Sequence, residues 1–431
     1  MSSAFVKGRT WLRAHLEHSL VRNAYYLMSS TVFSSAVSFL FWIIAVRLYP
    51  QEAIGLSAAV LSTTGLLFGM ADIGLGVAAI RFLPESGRDS SALVNSVLTV
   101  TMGMSAALAV LFLAVSPALT PQFAPVTRSP AFGLVFVVLT CAQSLTVTLG
   151  SLFLARRRSK FSFYQDASSS VLKLVLAIPI ALLLPSALGL VAASTLAMCL
   201  SAGWALMVFL PSTDPQLRLA PRVSWRILRP MISFASGNHI ARVFLDGHIL
   251  LAPIIVLGLL GAATNAVFYL AWTSSMILRV IPVATFNSLL AEGVNDPASM
   301  PAHIRKALRL TAAILLPAVG LVLLIADYFL LILGKEYSQQ GGDVLRLLAL
   351  ANIPWSVNYL AISIARVRKD NVTLLFVGVG LFTAVTSLLF LLVPMFGLIG
   401  TGIAYLCAQC IIAATVMAVF FIRRHRRQIG S

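Results

Sequence analysis

Apolar residues run along this chain in blocks of about twenty to thirty, separated by short polar breaks. A helix needs about 20 apolar residues to cross a bilayer, and block after block meets that length. Spans are predicted over residues 24–46, 53–80, 92–117, 131–154, 166–185, 187–211, 231–259, 263–288, 310–333, 347–364, 372–394 and 397–422. Pro and Gly mark many of the ends, at Pro50, Pro84, Pro117, Pro185, Gly261, Pro394 and Gly397. The pattern predicts an all-α polytopic membrane protein of about twelve helices.

The breaks alternate in charge. The two terminal stretches and every second gap together hold 24 of the 31 Lys and Arg. Arg156, Arg157, Arg158 and Lys160 follow the fourth block, and Arg218, Arg222, Arg226 and Arg229 follow the sixth. The opposite gaps hold four, Arg47, Arg128, Lys335 and Arg346. Loops rich in Lys and Arg stay cytoplasmic. Both termini are therefore expected in the cytoplasm and the span count is even. A missed or false span would break the alternation, which is unbroken.

Composition agrees. The chain is 59% hydrophobic and 10% charged, against about 25% charged in a soluble domain. It cannot clothe itself in a water-facing surface, so its solvent is mostly lipid. The net charge of +17 would point to nucleic acid in a soluble protein. Here it sits in short loops, which excludes nucleic acid as a partner and points to a plasma or inner membrane. The loop charges recur by halves, and the turn near Pro50 to Ser62 resembles that near Gly261 to Ser274. Two six-span lobes around a central site follow from such a repeat: an N-lobe over 23–211 and a C-lobe over 231–422, joined by a basic linker over 212–230. The stretch 1–22 reads as a cytoplasmic segment, either a surface helix or a solvated tail. Residues 423–431 read as a basic tail.

Catalytic signatures are absent: no HExxH, Walker A sequence or nucleophile elbow. The four Cys lie inside apolar blocks, and Cys407 and Cys410 read as small hydrophobes. No metal and no cofactor is implied. An integral membrane polymerase or ligase would need a large external loop, and the longest outer gaps span about 13 residues. The chemistry rests on ionisable groups inside spans, each costing at least about 2.5–3.5 kcal/mol at mid-bilayer. Asn238, His239, Arg242 and Asp246 share an arc of about 100° at helical spacing, with His248 opposite. Arg242 and Asp246 can pair at i,i+4. Lys173 lies two turns into its span, able to snorkel or to turn inward. Arg279 precedes Pro282, which kinks helices. Asp72 precedes Gly74 and Gly76, as a coupling carboxylate or a structural one. Arg242, Arg279 and Lys173, with His239 and Asn238, form the candidate cargo site, because guanidinium bonds two phosphate oxygens at once. Asp246 and Asp72 are the candidate ion-coupling residues. Ser29, Ser30, Thr31, Ser34, Ser35 and Ser38 in the first span suit close helix packing or the wall of a watery cavity.

Several segments carry a resemblance. They are Ala45 through Pro50, Gly74 through Pro84, the basic Arg156 to Phe161, Leu333-Gly334-Lys335-Glu336-Tyr337 with Val344 to Ala349, and Gly397 to Gly402. In order and at these spans, the chain resembles the polysaccharide and O-antigen flippases of the multidrug/oligosaccharidyl-lipid/polysaccharide exporter superfamily. The resemblance implies two six-helix lobes and transfer of a polyprenyl-pyrophosphate-linked glycan across the membrane by alternating access. Membrane lipids and other polysaccharide-assembly membrane proteins are the implied partners. A cation-coupled drug antiporter of the same superfamily is the alternative.

Overall fold

The computed structural model describes residues 19–214, 216–295 and 300–429. Most of the N-terminal segment expected over 1–22 lies outside them. The described residues form helices and turns, without strands. Among the described residues, ten helical stretches are long and apolar enough to cross a membrane. Two of these are double: Trp225–Asn287 has 63 residues and Asn371–Phe420 has 50. Each breaks at a glycine of positive φ, Gly261 at 82° and Gly397 at 59°, a conformation that side chains disfavour. Those are the breaks the apolar pattern places between the seventh and eighth and between the eleventh and twelfth spans. The architecture is thus one of about twelve spans.

Helices outrun their apolar blocks. The fifth covers Ser159–Leu183, the ninth Met300–Leu331 and the tenth Lys335–Arg368. Apolarity marks the part that meets hydrocarbon, whereas backbone hydrogen bonding continues past the lipid. The tenth begins where Gly334, at φ 144°, breaks the chain, with Glu336 in its first turn. A carboxylate there is favoured by the helix dipole.

The second span is interrupted. Gln51–Ala71 ends in a turn through Ile73 (φ 49°) and Gly74 (φ 78°), and helix resumes over Leu75–Phe82. Asp72 Oδ1 accepts the Gly76 N–H at 3.0 Å. It serves as a cap for the new helix.

The chain divides into two compact units, Met1–Tyr49 with Leu67–Ser236 and Pro50–Leu66 with Gly237–Ser431. In the first unit a buried cluster gathers at the end that carries the basic gaps. Leu75 and Ala79, Val94 and Val97, Phe153, and Leu228 and Met231 meet there. The linker is pinned to the same end. Asn95 donates to the Arg218 carbonyl at 2.8 Å and accepts the Ala220 N–H at 3.1 Å. Ser96 accepts the Ser224 N–H at 2.8 Å. Arg156 binds Asp214 at 3.0 Å, Ser90 at 2.9 Å and Thr213 at 3.1 Å.

In the second unit the Pro50–Leu66 segment packs backbone to backbone on the start of the eighth span. A Cβ on Gly55 would stand 1.7 Å from the Ala262 carbonyl oxygen. Asn265 donates to the Gly55 carbonyl at 2.8 Å, and Gln51 to that of Ala263 at 3.1 Å.

Candidate functional site

Two polar constellations stand out, one in each unit. In the first, the fifth helix places Asp166, Ser169, Ser170 and Lys173 on one face, at the i, i+3, i+4, i+7 spacing. Facing them are Ser30, Ser34 and Ser38 of the first span. Together they line a cavity of about 250 Å³. Ser30 donates to Asp166 at 2.6 Å. The Lys173 ammonium stands 4.4 Å from the centroid of Phe41, which is fully buried. Lys173 and Asp166 are two turns apart, about 10 Å along the axis, too far for an ion pair. The cavity therefore presents a cation at one level and a carboxylate at another, joined by hydroxyls.

The second constellation surrounds Arg279. The eighth span tightens into a 3₁₀ turn at Ile277–Arg279, just before Pro282. Pro282 has no N–H to return to the preceding turn, so the helix is weakest at this point. Arg279 is only 8% exposed. Its guanidinium carbon lies 4.6 Å from the Trp355 ring, 5.6 Å from Tyr405 and 5.8 Å from Trp272. Nε donates to Asn352 at 3.3 Å and Nη2 to the Tyr405 hydroxyl at 2.5 Å. Tyr405 OH also meets His248 Nε2 at 3.4 Å. Among the described residues Arg279 has no carboxylate partner. Aromatic faces, an amide and a phenol stabilise a buried charge that nothing neutralises.

The seventh span keeps its polar residues on two sides. Asn238, Arg242 and Asp246 are exposed and His239 is half-buried, whereas His248 is buried toward Tyr405. Arg242 pairs with Asp246 at 3.3 Å, with both side chains about half exposed. Such a pair contributes about 0.3–0.5 kcal/mol. The structure does not bring Arg242 and Arg279 together: one lies on the exposed face, the other in the cage behind His248. Lys173 belongs to the other unit. Asp72 is engaged as a helix cap.

Asp166 was not read from the sequence. It opens the apolar block of the fifth span, where a carboxylate reads as the span's polar edge. The 166, 169, 170, 173 spacing was the available signal. The cage around Arg279 joins residues from four spans, which no local pattern reveals.

A family model described as polysaccharide biosynthesis protein matches residues 43–341. The chain belongs to that family. Solved structures place it in a wider fold. A multidrug resistance MATE family transporter of the MOP superfamily, in an inward-facing conformation, matches with a TM-score of 0.71 at 15% identity, over 92% of this chain and 96% of that one. The lipid II flippase MurJ, inward closed, matches with a TM-score of 0.73 at 12% identity, over 92% and 87%. A MOP superfamily transporter from Pyrococcus furiosus gives 0.60 at 15% identity, over 94% and 95%. No curated protein matches the chain in sequence. The expected family and the expected fold are both borne out: this polysaccharide biosynthesis family member is a multi-pass membrane protein with the fold of transporters and flippases.

Proposed function

We propose that this protein moves a polyprenyl-pyrophosphate-linked oligosaccharide from the inner to the outer leaflet by alternating access, for cell-surface polysaccharide assembly. The carrying observation is Arg279, a buried guanidinium inside the membrane with no acidic partner among the described residues. An unneutralised cation at that depth is costly, and a passing pyrophosphate supplies the charge it lacks. Lys173 in the hydroxyl-lined cavity and Arg242 on the exposed polar face, beside Asn238 and His239, are further contacts for the anionic head. The family supports a glycan cargo, and the alternating basic gaps support cytoplasmic termini in an inner membrane. For coupling to a cation gradient the candidates are Asp166 and the Arg242-paired Asp246, while Asp72 would have to release the Gly76 N–H to serve.

One observation favours a second reading. A cation-coupled drug antiporter needs a carboxylate in a polar cavity, and Asp166 with Ser30 has that form. Deletion of the gene separates the two. The flippase reading expects a lipid-linked glycan of defined mass to accumulate in the membrane. Unchanged lipid-linked glycans, with new sensitivity to organic cations, would support the antiporter instead.

A further inference from the structure

The linker between the sixth and seventh spans has a built outer face. Leu217 and Leu228 are buried in the first unit, and Ser91, Asn95 and Ser96 bind its backbone. Between and just beyond those anchors the side chains of Arg218, Leu219, Arg222, Val223, Trp225, Arg226 and Arg229 are all exposed. Trp225 is 64% exposed, Val223 51% and Leu219 41%. None of the four arginines has an acidic partner among the described residues. Asp214, the acid at the start of this stretch, is taken by Arg156. Nearby, exposed Arg81 lies 4.4 Å from the ring of Phe234, adding a further cation to the same end of the unit.

Three large apolar side chains held beside four unpaired arginines are unfavourable in water. The same set suits the membrane boundary, where Trp sits among headgroups and arginine meets phosphate. The backbone is already fixed, so ordering it costs nothing further on binding. We propose that residues 218–229 form a docking surface for anionic phospholipid headgroups, with Trp225, Leu219 and Val223 dipping to the acyl boundary and the arginines holding phosphate. The surface clamps the first unit's basic end to the anionic leaflet. This holds for whatever cargo the protein carries, since it uses none of the candidate cargo residues.

Native mass spectrometry of the full-length protein in an equimolar mixture of phosphatidylglycerol and phosphatidylcholine tests it. The wild type is expected to retain phosphatidylglycerol at least fivefold over phosphatidylcholine. The R218Q/R222Q/R226Q/R229Q variant should lose that preference, while Trp225→Ala lowers total retained lipid and keeps the preference. All four arginines are exposed, and matching thermal unfolding curves establish that the variant is folded. A photo-crosslinking amino acid at position 225, irradiated in native membranes, should give adducts of lipid mass. Equal retention of both lipids by the wild type, or adducts of protein mass at position 225, would overturn the proposal.

Discussion

Arg279 is held by geometry that lysine cannot copy. Its flat fork stacks on rings and gives two directed hydrogen bonds, whereas an ammonium is a compact point charge. Arg279→Lys keeps the charge and loses the stacking, worth about 2 kcal/mol in a desolvated site. The expected outcome is a lower unfolding temperature in detergent and at least about tenfold slower transport, since 1.4 kcal/mol is a factor of ten. Asp214 gives a pH test outside the membrane. Burial alone would raise its pKa, but the Gln216 N–H, the Ser90 hydroxyl and the Arg156 guanidinium hold the carboxyl below its ordinary value. Its stabilising effect is therefore present above the unfolded value of about 3.9 and lost as pH falls through the folded one. Asp214→Asn should unfold at a lower temperature than wild type at pH 7, and the gap should narrow as the pH falls below the ordinary aspartate value of about 3.9. At this scale the sequence was partly legible. Arg279 stood out because an arginine inside an apolar block is rare. Its aromatic cage did not, because Trp272, Trp355 and Tyr405 look like ordinary apolar positions until four helices meet.

The second span shows what a single element can hide. Its apolar block reads as one span with a bend at Gly74 and Gly76; Asp72, Ile73 and Gly74 divide it fully, and the Asp72 carboxylate caps the second part. Sequence left Asp72 between a coupling role and a structural one, because capping depends on a backbone turn that composition does not reveal. Glycines along this helix differ sharply in what they permit. Gly55 lies against the Ala262 carbonyl, while nothing stands within 4 Å of a Cβ on Gly69. Gly55→Ala should destabilise by about 1–3 kcal/mol through overpacking. Gly69→Ala should be stabilising by up to about 1 kcal/mol, from helix propensity alone. Thermal unfolding of the two variants side by side checks both signs. Gly261 and Gly397 were legible as breaks, since each ends one apolar block and opens the next. Helix ends were less so, because polar turns such as Ser159 to Gln165 extend a helix past the lipid while reading as loop.

For the whole molecule, the alternating basic gaps predict the topology and the span count. They do so because orientation in the membrane follows Lys and Arg in short loops, a rule that needs no tertiary information. The same rule singles out Lys173, Arg242 and Arg279 as cations that belong to neither side. What it cannot supply is how those three are used: one in a hydroxyl-lined cavity two turns from Asp166, one half-exposed against Asp246, one caged. An anionic cargo fits that set, and the chain belongs to a polysaccharide biosynthesis family. The decisive measurement is translocation in proteoliposomes that hold a polyprenyl-pyrophosphate-linked glycan and only this purified protein. Exposure of the glycan to an added glycosidase should rise from half of the pool toward completion with the wild type. It should stay at half with the Lys173→Glu, Arg279→Glu double variant. Exposure that stays at half with the folded wild type, under every proton or sodium gradient imposed, would contradict the account.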